Sequence, residues 1–162
     1  MTCLCNSNKT YEHCCEPLHK GQVAISAEAL MRSRYSAFAL HLHDYLLSSW
    51  HPSTRPENIE LSQHTQWRRL EIINASNDDA KGSVHFKAYY QEPSQNTNAQ
   101  IIHSNTSQTA LQWHLIEEKS AFVFESGNWF YLSGDYRPQL LKPNRNEACL
   151  CGSGKKFKKC CL

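Results

Sequence analysis

The chain carries one cysteine pattern twice. The first block reads Cys3-x-Cys5, eight residues, then Cys14-Cys15, and the second reads Cys149-x-Cys151, eight residues, then Cys160-Cys161. All eight cysteines fall in these two blocks. At a constant offset of 146 positions the blocks agree at seven of thirteen: the four cysteines, Leu4/Leu150, Ser7/Ser153 and Lys9/Lys155, with Tyr11 facing Phe157. Four thiolates within thirteen residues meet the demand of a tetrahedral zinc ion. Any fold for this chain must bring each set of four sulfurs together.

The spacing has a mechanical reading. Two cysteines one residue apart clamp a metal from a tight turn, provided the chain then reverses. The reversals are Asn6-Ser7-Asn8 and Gly152-Ser153-Gly154. Glycine enters positive φ freely and asparagine tolerates it, so both triplets suit left-handed turns. A short helical turn over 9–13 or 155–159 then returns the paired cysteines. Sulfurs on one tetrahedral zinc stand ~3.8 Å apart, close enough for adjacent cysteines to share it. The expected ligands are Cys3, Cys5, Cys14 and Cys15 at one site and Cys149, Cys151, Cys160 and Cys161 at the other. Two Zn²⁺ per chain follow, each closed by four sulfurs and therefore structural. Competing readings are disulfides, free buried cysteines, and His13 or His19 in place of one cysteine. The first residues have neither a basic start nor an apolar stretch, which predicts a cytosolic chain where thiols stay reduced.

With 162 residues, 40% hydrophobic and 20% charged, the chain supports one medium domain with small appendages. No run approaches the roughly 20 apolar residues of a membrane span. The formal charge is +2, but eight thiolates and two divalent ions would bring it to about −2. That disfavours a general nucleic-acid binder, as does the scarcity of aromatics beside the lysines. Charge is uneven: Lys155, Lys156, Lys158 and Lys159 crowd the second block, where the first has Glu12, His13 and Glu16.

Between the blocks, 17–23 reads as a linker. Ser26 is a helix N-cap, and Leu30, Met31, Tyr35, Phe38, Leu42 and Leu46 recur at helical spacing. This predicts helices over 27–40 and 44–49, with a further helical turn within 57–66. Strands are expected at 68–75, 83–90, 111–125 and 129–133. Asn77-Asp78-Asp79 and Ser126-Gly127-Asn128 supply the turns of two hairpins. The polar stretch 91–109 reads as a surface loop. Helices followed by an antiparallel sheet make the fold class α+β. Leu30, Phe38, Leu70, Ile72, Phe86, Phe122 and Phe130 are the expected core.

The block Cys149-Leu-Cys-Gly-Ser-Gly-Lys-Lys-Phe-Lys-Lys-Cys-Cys161 resembles a SEC-C motif, the zinc module also found at the tail of the SecA translocase ATPase. That tail ends Cys-His where this one ends Cys-Cys. Leu30-Met-Arg-Ser-Arg-Tyr-Ser-Ala-Phe38 and Trp50-His-Pro-Ser-Thr-Arg-Pro56 resemble signatures of the bacterial YchJ-like family. The resemblance implies an NTF2-like (cystatin-like) cone, a curved sheet packed on helices, with a SEC-C module at each end. It divides the chain into 1–22, 23–140 and 141–162. Asn6-Ser-Asn8 departs from the usual Gly-Ser-Gly. By resemblance to the translocase tail, the second motif is expected to engage a protein partner, an export chaperone such as SecB or the ribosome.

Folds of this type often enclose a pocket, and chemistry there needs an acid or base with a tuned pKa. The candidates are His85, Tyr89, Trp113, His114, Glu117 and Glu118, with Arg32 and Arg34 from the first helix and His51 at a helix end or the pocket mouth. Alternation puts His114, Glu118, Ser120 and Phe122 on one face of a strand and Trp113, Glu117 and Lys119 on the other. One of the two arginines is expected to pair with Glu117 or Glu118, locking helix to sheet. No Ser/His/Asp or Cys/His set is visible, so no catalytic residue is assigned. The resulting reading is a zinc-binding adaptor acting through its SEC-C motifs. The alternative is a small-molecule binder or enzyme using the central pocket, decided by whether Tyr35, Phe38, Trp67 and Trp129 fill that pocket or leave it open.

Overall fold

A computed structural model of the chain describes residues 1–94 and 110–162. Most of the polar stretch 91–109 lies outside the described residues, although its first three residues complete a strand. Three helices come first: α1 (Glu16–His19), α2 (Ala27–Ala39) and α3 (His43–Ser48). Four strands follow: β1 (Gln66–Asn77), β2 (Lys81–Pro93), β3 (Leu111–Glu125) and β4 (Asn128–Leu141). They form one antiparallel sheet in the order β1-β2-β3-β4. The fold class is α+β, with α2 laid across one sheet face.

Local chemistry accounts for the elements. The Ser26 hydroxyl accepts from the Ala29 amide at 3.0 Å and caps α2. Leu30, Met31 and Tyr35 then face the sheet, buried. Register slips between Trp67 and Arg69, between Ile72 and Asn74, and between Ala121 and Phe122 interrupt the ladders. Each bulge bends its strand and raises the local twist, which lets long strands curl around a helix.

Several expectations are corrected. The linker 17–23 opens inside α1, which Pro17 does not disturb because it sits in the first turn. Residues 57–66 form no helical turn. Ile59 and Leu61 alternate with exposed neighbours, the period of extended chain. Strand β4 continues eight residues past Ser133, because Gly134 and Pro138 lie on an edge strand that, over this stretch and among the described residues, pairs with β3 alone. Leu30, Leu70, Phe86 and Phe122 are buried as expected, whereas Phe38, Ile72 and Phe130 are half-buried. Trp129 and Tyr131 take the inward positions of β4, so Phe130 faces the other way.

The helix approaches the sheet closely at Gly82. A methyl group there would lie 2.6 Å from the Ala27 Cβ and 3.1 Å from the Trp129 ring. Gly82→Ala is expected to cost about 1–3 kcal/mol by overpacking. Urea unfolding measures this, and an unchanged midpoint would place α2 farther from β2 than described.

The two cysteine blocks sit differently in this architecture. Cys3, Cys5 and Cys15 belong to the main buried cluster, together with Leu30, Tyr35 and Leu70. Cys149 and Phe157 form a separate cluster with Trp113. The first block is thus walled by α2, the second by the opposite face of the sheet.

Candidate metal centres

The sequence repeat is also a repeat of backbone hydrogen bonds. The Cys3 amide donates to the Lys9 carbonyl at 2.8 Å, and the Cys149 amide donates to Lys155 at 2.8 Å. Tyr11 donates to Met1 at 2.9 Å and Phe157 to Glu147 at 2.8 Å. Asn6 and Asn8 have φ of 59° and 61°, and Gly152 and Gly154 have 80° and 74°. The left-handed turns therefore fall at the expected triplets. A 3₁₀ turn (Tyr11–His13, Phe157–Lys159) then brings back each cysteine pair.

Within each block the four sulfurs lie within 4.8 Å of one another. Cys5 to Cys14 is 3.5 Å, Cys14 to Cys15 3.9 Å, Cys151 to Cys160 3.5 Å and Cys160 to Cys161 3.7 Å. These straddle the ~3.8 Å edge of a ZnS₄ tetrahedron and are far beyond a disulfide bond. Each cluster could hold a metal ion with no coordination position left open. The two clusters as described are made of cysteines, and His13 and His19 are engaged in other hydrogen bonds. His13 Nδ1 bonds the Thr10 hydroxyl at 2.9 Å. His19 Nε2 donates to the Ser33 carbonyl at 2.9 Å, and its Nδ1 accepts from the Tyr11 hydroxyl at 2.7 Å.

Electrostatics fit the same reading. The neighbouring Cys15 thiol pulls the Cys5 thiol down to about 4, and the same interaction pushes Cys15 up. Burial pushes Cys14, Cys149 and Cys161 up. Four sulfurs this close do not all ionise unless a cation neutralises them.

The surroundings include residues whose roles were not read from the sequence. The Ser7 hydroxyl lies 3.0 Å from Cys14 Sγ, and Ser153 lies 3.2 Å from Cys160 Sγ. Their recurrence at the 146-residue offset was the available signal. Ser36, from α2, donates to Cys15 Sγ at 3.4 Å. Such outer hydrogen bonds orient metal ligands and tune their charge. The Asn6 side chain accepts from the Leu70 amide at 2.6 Å, on the open edge of β1. Glycine at this position has no side chain to make that bond. At the matching position, a Cβ on Gly152 would come within 3.1 Å of Arg69 Cδ. The departure from Gly-Ser-Gly in the first block thus has a local cause.

Most of the expected pocket residues are engaged elsewhere. His85 bonds Glu117 at 2.8 Å, and His51 bonds Glu125 at 2.8 Å. Tyr89 packs under Arg69, His114 stacks on Tyr90, and Trp113 lies beneath the second cysteine block. Arg32 pairs with Glu28 at 2.8 Å and donates to the Cys5 carbonyl. The expected helix-to-sheet ion pair is not formed among the described residues. Only Arg34 and Glu118 of the candidates reach the central cavity. Tyr35, Phe38 and Trp67 line that cavity and leave it open, while Trp129 packs in the core.

The comparisons agree with this architecture. The family described as YchJ, middle NTF2-like domain, matches residues 26–134, and the SEC-C motif matches 2–17 and 145–162. A UPF0225 protein of Vibrio parahaemolyticus is 37% identical over 99% of this chain and 98% of its own length. A UPF0225 protein of a Shewanella species is 38% identical over 99% of this chain and 95% of its own length. The solution structure of a SEC-C motif containing protein from Rhodopseudomonas palustris is similar, with a TM-score of 0.64 and 30% identity, covering 83% of this chain and 98% of that one. A crystal structure of a SEC-C motif containing protein from Psychrobacter arcticus gives 0.58 and 27%, covering 99% and 93%.

Proposed function

The chain belongs to the YchJ family of SEC-C motif proteins, and from that premise we propose that it is a two-zinc adaptor of the bacterial cytosol whose C-terminal motif captures an acidic protein partner. Zinc is the ion that a closed set of four thiolates suits best in a site without redox chemistry. Cys3, Cys5, Cys14 and Cys15 hold one ion; Cys149, Cys151, Cys160 and Cys161 hold the other. The units are 1–22, 23–140 and 141–162. Among the described residues no helix is long and apolar enough to cross a membrane.

One observation carries the recognition reading: four exposed lysines surround a single turn whose Phe157 is buried. Lys155, Lys156, Lys158 and Lys159 are displayed around a metal knuckle with little core of its own. Such a display steers an acidic surface towards it. The matching positions of the first motif hold Lys9, Thr10, Glu12 and His13, and that motif packs against α2. Resemblance to the SecA tail makes an export chaperone such as SecB, or the ribosome, the first partner to test.

Elemental analysis of protein prepared without chelator should give two zinc ions per chain. Changing the four lysines to glutamine should leave that ratio intact and abolish capture of purified SecB or ribosomes. Capture by the unmodified protein should weaken as salt rises, since exposed charges are screened within about 8–10 Å near physiological ionic strength. Binding that persists in the glutamine variant would move recognition to another surface.

A further inference from the structure

We propose that the central cavity binds a small uncharged organic molecule with a flat apolar body and an amide-like end, its carbonyl held by Arg34 and its N–H by Glu118. The cavity is about 550 Å³, within the ordinary range of small-molecule sites. It lies between α2, the segment after α3 and the sheet. Tyr35, Phe38, Trp50 and Trp67 give it aromatic walls.

Arg34 is 2% exposed and has no carboxylate partner among the described residues. Its guanidinium is held by the Tyr131 ring, 4.6 Å from Cζ, and by Trp50 at 5.3 Å. Nη1 donates to the Leu46 carbonyl at 2.7 Å and to the Ser49 hydroxyl at 2.6 Å. Nε and Nη2 have no hydrogen-bond partner among the described residues. Among the described residues Trp113 Nε1 is the one sealed side-chain nitrogen or oxygen without a partner, so these two Arg34 donors are open to the cavity, where a carbonyl that displaces water can accept from them.

Glu118 is held as firmly. Its Oε1 accepts from Ser120 Oγ at 2.7 Å and from Tyr131 Oη at 3.0 Å. Oε2 has no partner among the described residues. The carboxylate occupies space that Gly134, opposite Ser120 in the register, leaves vacant. A Cβ there would collide with it and come within 2.6 Å of Tyr131 Oη. Tyr131 ties the two groups together, ring against Arg34 and hydroxyl to Glu118. Fixed donors and acceptors on packed elements are the mark of a built site.

Charge selects the ligand. Glu60 and Glu92 also line the cavity, so three carboxylates stand against one guanidinium and disfavour an anion. A cation would meet Arg34. An amide or lactam offers an acceptor and a donor side by side without net charge, and a site with matched buried groups rejects analogues lacking them.

The test uses full-length, zinc-loaded protein and three ring compounds of similar size: benzamide, benzoate and benzylamine. Binding is read from amide chemical shifts. Benzamide is expected to saturate with Kd on the order of 1 mM, as its size allows, and to bind at least tenfold more tightly than either charged compound. Glu118→Gln keeps the shape and removes the acceptor; it should weaken benzamide binding tenfold with an unchanged melting temperature. Gly134→Ala should weaken it as well. No saturable shift with benzamide, tighter binding of benzoate or benzylamine, or unchanged affinity in a folded Glu118→Gln protein would each overturn the proposal.

Discussion

Replacing Cys15 by serine is expected to unfold the protein, whereas replacing Cys161 should cost only the metal beside it. Cys15 is 2% exposed and shares its buried cluster with Leu30, Tyr35 and Leu70. Ser36 of α2 bonds its sulfur, and Arg32 of the same helix holds the Cys5 carbonyl. Losing one ligand of four removes a binding free energy that reaches about 10–16 kcal/mol for structural zinc in small peptides, while a whole domain is stable by only about 5–15 kcal/mol. Even a fraction of that loss, felt in the core, exceeds the margin. Among the described residues Cys161 packs against the satellite cluster of Trp113, Cys149 and Phe157 and is no part of the main one. With the proposed zinc bound, its loss should free that ion and change the main unfolding transition by no more than about 1–2 kcal/mol. Circular dichroism in urea, with metal content measured on the same samples, separates the cases. A cooperative, near-normal transition in Cys15→Ser would make the first motif an appendage. Global unfolding of Cys161→Ser would refute an independent unit at 141–162.

The contrast also shows what is legible in the sequence. The cysteine repeat fixed both clusters because metal geometry demands four close sulfurs whatever surrounds them. Ser26 and the spacing of Leu30, Met31 and Tyr35 placed α2 to within a residue, since capping and periodicity are local. The strand expected at 129–133 runs on to Leu141 through Gly134 and Pro138, two residue types that disfavour strand interiors. Both are tolerated there for non-local reasons: one makes room for Glu118, the other sits on an edge. Arg34 was a candidate by its position, but periodicity does not say that it would be buried without a carboxylate. That follows from Trp50 and Tyr131 meeting it from two other elements. Curvature was illegible for the same kind of reason, because bulges are set by pairing across strands.

His19 joins the first motif to the main domain, and acid should part them. The imidazole accepts from Tyr11 and donates to the Ser33 carbonyl, an arrangement that requires the neutral ring. Its edge also packs on Tyr45, with centroids 4.6 Å apart. Burial lowers its pKa below the ordinary 6.5, outweighing the Ser33 carbonyl and the nearby Cys5 and Glu16. The folded state therefore binds fewer protons than the unfolded one. Stability from this group is complete above about pH 6.5 and is lost as pH falls from there through the lowered folded value. His19→Phe keeps the ring and removes both hydrogen bonds, leaving the Tyr11 hydroxyl unmatched. A cost of about 2–4 kcal/mol is expected at pH 7.5. The variant should also lose the decline in stability just below pH 6.5, retaining only the steeper fall at lower pH where cysteine thiolates take up protons and release metal. Urea midpoints at half-unit intervals from pH 8 to 5 test this. Parallel curves for the two proteins would show that His19 is not the group that titrates, and that the motif is held to α2 by its sulfur and serine contacts alone.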